Sequence, residues 1–255
     1  MFQGDVQTSR GVSERGFVLQ VEDRTVPGVL WQPEGAAGTR PLVLLGHGGS
    51  GHKREDYILA LARRLVRHQG FSVAAIDGPM HGDRRADGGL DRDRVWEERQ
   101  SRRGSVDQTD AMVADWRAAL GWLQDELGAG PVGYWGLSMG TVYGLPFVAA
   151  EPRVEAAVLG LMGVAAAPVE DVYRERMRAR FGHDAPRISI PVLFLVQWHD
   201  ELVPRDDAIN LFGLLGSERK AMHVNVGRHA AVPAIEYDAS ERFFEELLAP
   251  APVGA

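Results

Sequence analysis

The sequence predicts an α/β fold on a mostly parallel sheet, and three observations lead there. Short apolar runs recur along the chain without polar alternation, as in strands buried on both faces. Between them lie segments whose apolar residues repeat at helical spacing. Turns rich in Gly, Asp and His follow the ends of several runs, where ligands bind in such sheets.

The elements follow in order. Phe17–Val21 and Val26–Trp31 read as an opening hairpin. Pro41–Gly46 is a continuous apolar run ending in a glycine-rich turn, and Phe71–Ile76 is similar. Val132–Trp135, Val154–Leu161, Val192–Val196 and Ala221–Val226 complete the strands. One helical face holds Tyr57, Ile58, Leu61, Leu65 and Val66. A second holds Met112, Val113, Trp116, Leu120, Leu123 and Leu127, and a last holds Phe243, Phe244, Leu247 and Leu248. Residues 1–255 are expected to form a single domain. Segments 81–108 and 163–190 exceed what a connection requires. They are read as insertions forming a lid or pocket wall, with solvated excursions as the alternative.

Composition narrows the function classes. With 45% hydrophobic and 25% charged residues the chain can bury a substantial core. A formal charge of −7, with basic residues clustered only around Arg99–Arg103, argues against nucleic acid as a partner. The absence of cysteine excludes disulfides, thiolate metal sites and a cysteine nucleophile. No run approaches the length of a membrane span, and the first residues do not read as a signal peptide, so a cytoplasmic location is expected. The sequence does not decide the oligomeric state; a homodimer is among the states open to it.

The chemistry is concentrated in four turns. Gly136-Leu137-Ser138-Met139-Gly140 lies between a strand and the apolar helical run Thr141–Ala150. In a G-x-S-x-G elbow the serine occupies a strained turn that lifts its hydroxyl clear of the sheet. The pentapeptide alone is a common accident in a glycine-rich chain; the strand before and helix after give it weight. Pro146 within that helix predicts a kink or early end. His47-Gly48-Gly49-Ser50-Gly51 follows the Pro41–Gly46 strand and suits backbone donors aimed at an oxyanion. Met139 supplies one donor, as the residue after the nucleophile. Gly49 is the choice for the other, with Gly48 or Ser50 as neighbouring alternatives. The P-loop spacing with its lysine is missing, so a phosphate-binding loop is set aside.

Asp200 stands just past the strand Val192–Val196, with Glu201, Asp206 and Asp207 as nearby alternatives. His229 follows the last strand and precedes the last helix. Of the eight histidines only His223 and His229 follow both Ser138 and Asp200, and His229 is the one in the turn after the last strand. A histidine is suited to be a general base near neutral pH. His47 and His81 open glycine-containing turns and are read as loop braces.

These turns, together with Asp77-Gly78-Pro79-Met80-His81-Gly82 and Arg84, resemble the α/β-hydrolase superfamily along about residues 15–248. The nearest resemblance is to the dienelactone-hydrolase-like branch and related small esterases. It implies an α/β-hydrolase fold: a mostly parallel eight-stranded sheet, one strand antiparallel near its start, with helices on both faces. It also implies a serine esterase with Ser138, Asp200 and His229 as catalytic triad, a small-molecule ester substrate, and neither cofactor nor metal. Dienelactone hydrolases proper use a cysteine nucleophile. The serine here therefore points to carboxylic esters through an acyl-enzyme. The same triad would also suit a thioesterase, perhydrolase, acyltransferase or C–C lyase, because fold does not choose among them. A binding protein that kept the pocket is the remaining alternative.

Overall fold

The computed structural model describes residues 1–85, 107–128, 130–164 and 171–249. Among the described residues nine strands form one sheet. They are β1 (Phe2–Ser9), β2 (Val12–Val21), β3 (Arg24–Pro33), β4 (Leu42–Gly46), β5 (Ser72–Ile76), β6 (Val132–Leu137), β7 (Val154–Gly160), β8 (Val192–Gln197) and β9 (Lys220–Asn225). Their spatial order is β1-β2-β3-β5-β4-β6-β7-β8-β9. The first three strands form an antiparallel meander, and β3 pairs antiparallel with β5. From β5 to β9 every pairing is parallel.

The strand count corrects the expectation of eight. Residues 2–9 add an outer strand, β1, which is exposed along most of its length. An edge strand open to water on both faces needs no apolar pattern, so composition gave no sign of it. Its anchor is Phe2, whose ring meets Trp122 edge-on at 4.8 Å and lies under the Arg15 guanidinium at 4.3 Å.

Among the described residues the helices are α1 (Asp56–Gln69), α2 (Asp107–Leu127), α3 (Met139–Ala150), α4 (Asp171–Asp184), α5 (Arg205–Leu214) and α6 (Ala234–Leu248). Side-chain alternation on the strands divides the core into two layers. Leu42 and Leu44 of β4 and Tyr134 of β6 face α2, α3, α4 and α5, meeting Trp116, Leu120, Phe147, Phe181 and Leu211. Val43 and Leu45 of β4 and Trp135 of β6 face α1 and α6, meeting Ile58, Leu61, Leu65, Phe244 and Leu248. Helix α3 runs unbroken through Pro146, whose ring is buried, so the expected early end does not occur. The loss is confined to one missing N–H donor in a helix packed on the sheet.

The two long segments are described only in part. Of 81–108, residues 86–106 lie outside the described residues, including Trp96 and Arg99–Arg103. Of 163–190, residues 165–170 lie outside the described residues, and the rest includes helix α4 and the 3₁₀ turn Ala185–Arg187. Met177, Phe181 and Ala185 enter the core, so this part is a packed structural element.

Helices α1 and α6 are clamped by one carboxylate. Glu241 accepts from Arg64 Nε at 3.0 Å and Gln69 Nε2 at 3.1 Å, and its Oε1 lies 2.8 Å from His68 Nδ1. Burial pushes the Glu241 carboxyl up, but the combined hydrogen bonds from Gln69, His68 and Arg64 outweigh burial and hold it below the ordinary glutamate value. A carboxyl lowered on folding contributes stability above its unfolded value, lost as pH falls through the folded one. The apparent Tm should therefore fall on acidification from about pH 6 to pH 3. Calorimetry of Glu241→Gln should give a lower Tm at neutral pH and a shallower acid slope. An unchanged slope would remove Glu241 from the account.

The sheet order fixes where a site can form. From β4 the chain crosses to β5 on one side, and from β6 to β7 on the other. The loops beyond the carboxyl ends of β4 and β6 therefore diverge, opening a crevice at the point where strand order reverses. The 47–51 turn and Ser138 both lie there.

Candidate active site

Ser138 joins β6 to α3 with φ 57° and ψ −119°, a left-handed φ that side chains rarely adopt. Its surroundings leave the turn no alternative. A Cβ on Gly136 would lie 2.7 Å from the Gly140 carbonyl oxygen, and one on Gly140 would collide with that of Gly46. The elbow and the end of β4 are thus in backbone contact. The Ser138 N–H bonds to Gly160 O at 3.0 Å, and Ser138 O accepts from Thr141 N at 2.8 Å and Val142 N at 3.0 Å. The buried Thr141 hydroxyl lies 2.8 Å from Gly136 O and 2.7 Å from Gly160 O, and accepts the Gly160 N–H at 2.9 Å.

Gly140→Ala is expected to destabilise the protein by about 3 kcal/mol, the upper end for overpacking, because the obstructing atom is backbone. Urea unfolding checks this, and an unchanged midpoint would contradict the contact.

His229 lies beyond β9 and Asp200 beyond β8. His229 Nε2 is 2.8 Å from Ser138 Oγ, and its Nδ1 is 2.7 Å from Asp200 Oδ2. The other Asp200 oxygen accepts two backbone N–H groups, from Leu202 at 2.8 Å and Val203 at 2.9 Å. The Asp200 side chain is only 3% exposed, so its carboxylate is held on both sides and shielded from water. The strands bring the two loops together: His199 N–H bonds to Gly227 O at 3.0 Å and Trp198 N–H to Asn225 O at 2.7 Å.

The alternative acids sit elsewhere. Glu201 accepts the backbone N–H of His229 at 3.0 Å and pairs with Arg228 at 3.3 Å. The His229 N–H holds its carboxyl below the ordinary value. Glu201 thus restrains the main chain beneath the imidazole. Asp206 and Asp207 occupy the first turn of α5.

The 47–51 turn lies against the elbow. A Cβ on Gly48 would come within 4.0 Å of Leu137 O and 3.3 Å of Tyr57 Oη. The Gly48 N–H is donated to Tyr57 Oη at 2.6 Å. Burial pushes the Tyr57 phenol up to about 12, against a smaller lowering from the Gly48 N–H, so it stays protonated. In the sequence Tyr57 belongs only to a helix face; nothing in its spacing announces a partner nine residues back.

Behind this turn is a buried charged group. Lys53 Nζ bonds to Asp77 Oδ2 at 2.5 Å and Asp83 Oδ2 at 2.6 Å, and Lys53 N to Asp77 Oδ1 at 2.9 Å. Asp83 N–H donates to Asp77 Oδ2 at 2.9 Å. A Cβ on Gly82, at φ +49°, would collide with the Asp77 carboxylate. The Asp77–Gly82 sequence is therefore shaped around one carboxylate that ties the β5 loop to the β4 loop. Among the described residues no group of acidic or histidine side chains could hold a metal ion.

A family model described as Hydrolase_4 (serine aminopeptidase, S33) matches residues 37–179. That stretch is more than half of the chain and includes the 47–51 turn, Asp77–Gly82 and the Ser138 elbow. The chain belongs to this hydrolase family. Asp200 and His229 lie beyond the stretch matched to Hydrolase_4. No curated protein matches the chain. Among solved structures, a cold-adapted esterase from an Arctic intertidal metagenomic library, in a PEG-bound complex, is 44% identical. The match covers 97% of this chain and 99% of that one, with a TM-score of 0.81. Acetyl xylan esterase from Paenibacillus sp. R4 is 17% identical over 97% of this chain and 89% of that one, with a TM-score of 0.73. Est1E from Butyrivibrio proteoclasticus, bound to ferulic acid, is 15% identical over 92% and 100%, with a TM-score of 0.70. The last two share the α/β-hydrolase fold with this Hydrolase_4 member. No helix among its described residues is long and apolar enough to cross a membrane.

Proposed function

We propose that the protein hydrolyses carboxylic esters through an acyl-enzyme, with Ser138 as nucleophile, His229 as general base and Asp200 orienting the imidazole. The unbroken line from Asp200 Oδ2 through both His229 nitrogens to Ser138 Oγ, at 2.7 and 2.8 Å, carries this reading. His229 Nε2 takes the Ser138 proton as Oγ attacks the ester carbonyl, and the carbonyl oxygen becomes an oxyanion. The imidazolium returns the proton to the departing alcohol. Water, deprotonated by His229, then releases the acid and restores Ser138.

The N–H groups of Gly49 and Met139 hold the oxyanion. Of the two neighbouring choices, Gly48 is disfavoured because its N–H already serves Tyr57. Met139 opens helix α3, so the helix N-terminus adds its dipole. Esters are favoured as substrate by the name of the relative at 44% identity, an esterase.

The test is to treat the protein with a fluorophosphonate probe and locate the label by peptide mass spectrometry, alongside assays on p-nitrophenyl esters of rising chain length. Labelling at Ser138 with turnover of short esters is expected. A protein left unlabelled, or labelled at another serine while hydrolysing esters, would overturn the assignment.

A further inference from the structure

The hydrogen bonds around His47 form a connected set that the triad does not use. His47 is 2% exposed and lies at the carboxyl end of β4. The Gly78 amide N–H, on the loop after β5, points at His47 Nε2 at 2.8 Å. A backbone N–H can only donate, so Nε2 is the unprotonated nitrogen and the ring proton resides on Nδ1. That Nδ1–H lies 2.9 Å from the carbonyl oxygen of Gly48. The Gly48 carbonyl and the Gly49 N–H belong to one peptide plane. No peptide bond among the described residues is cis, so within that plane the two groups point in opposite directions. Holding the carbonyl therefore aims the N–H.

The restraint has a reason. Two consecutive glycines have no Cβ to limit rotation, so the peptide between them is among the freest in the chain. The N–H of Gly48 is pinned by Tyr57 Oη at 2.6 Å, and the Gly49 carbonyl lies 3.1 Å from His81 Nε2. The plane between these two anchors is held through the Gly48 carbonyl, which accepts the shorter bond from His47 Nδ1–H at 2.9 Å and a longer one from the Gly51 N–H at 3.2 Å. The imidazole is well placed to do so. A Cβ on Gly78 would touch Met139 Cε at 3.0 Å and His47 Nε2 at 3.4 Å, and one on Gly140 would lie 3.5 Å from His47 O. His47 is thus packed beside Gly78, which also faces Met139, and beside Gly140 of the elbow.

We infer that His47 is a positioning residue whose Nδ1–H tautomer, set by the Gly78 amide, locks the Gly48–Gly49 peptide so that the Gly49 N–H faces the oxyanion. This rests on the reading of Gly49 as an oxyanion donor. The imidazole acts through the peptide it holds.

Two substitutions separate the ring's halves. His47→Asn places an amide N–H near Nδ1 and lacks the acceptor for Gly78. His47→Gln places an amide oxygen near Nε2 and lacks the donor to Gly48. Each forfeits one hydrogen bond, so a merely structural histidine would make them equal. The expected result is that His47→Gln lowers kcat about 10- to 100-fold, approaching the loss of a whole oxyanion donor, with KM within about threefold. His47→Asn should keep kcat within about threefold of wild type. Equal losses, or a Gln variant as fast as wild type, overturn the inference.

Long-range ¹H–¹⁵N correlation on the wild-type protein is independent of how either variant folds. It should show Nδ1 protonated and Nε2 bare at the pH of assay. An Nε2–H tautomer or a doubly protonated ring there overturns the inference. Fluorophosphonate labelling reports on Ser138 alone. A labelled protein whose two variants behave alike rejects the role of His47 while leaving the triad intact.

Discussion

Ser138→Ala is expected to lower kcat on p-nitrophenyl butyrate by about 10⁶-fold, leaving only what binding and the oxyanion donors contribute. The change deletes one oxygen at a position already committed to φ 57°. Alanine needs the same left-handed turn, and the contacts at Gly136 and Gly140 impose it regardless of the side chain. The variant should therefore fold with a Tm close to that of wild type, so the lost rate belongs to chemistry. Steady-state kinetics beside calorimetry checks both halves. Retained turnover would remove Ser138 from the mechanism.

Asp200→Asn is expected to lower kcat by about 10⁴-fold, through the wrong histidine tautomer. Asp200 Oδ1 accepts the N–H groups of Leu202 and Val203. An asparagine must keep its carbonyl oxygen there, because its NH₂ would oppose two donors. The NH₂ then faces His229 Nδ1, which becomes an acceptor, and the ring proton moves to Nε2. The imidazole would donate to Ser138 Oγ and could not remove its proton. The expected signature is a large fall in kcat with little change in KM or Tm. A variant losing less than tenfold would show that Asp200 does not set the tautomer.

The sequence disclosed the parts whose chemistry is local. Buried parallel strands announce themselves as apolar runs, so β4 to β8 are found close to the expected positions, and the half-exposed β9 lies within one residue of its own. Ser138, Asp200 and His229 are recognisable because each follows a strand end, and the sheet alone brings residues 138, 200 and 229 within hydrogen-bond reach. Less was legible where a role depends on a distant partner. Tyr57 looks like any apolar position on α1 until Gly48 is placed against it. Lys53 is 3% exposed, and the charges that neutralise it, Asp77 and Asp83, arrive from another loop. A buried charge has no signature apart from its counter-charges. Strand β1 escaped notice for the opposite reason: it is so exposed that burial leaves no trace in its composition.

Strand β9 is the outermost of the parallel set, pairs on one side only and is half open to water. His229 hangs from its far end, whereas Ser138 is rooted in the buried middle of the sheet. Such margins open locally at lower free energy than the interior. Warming would let the imidazole drift from its hydroxyl while most of the chain is still folded, so heat would silence the enzyme ahead of its melting. Fastening the β8–β9 border, and not enlarging the core, is therefore the route to a heat-tolerant variant.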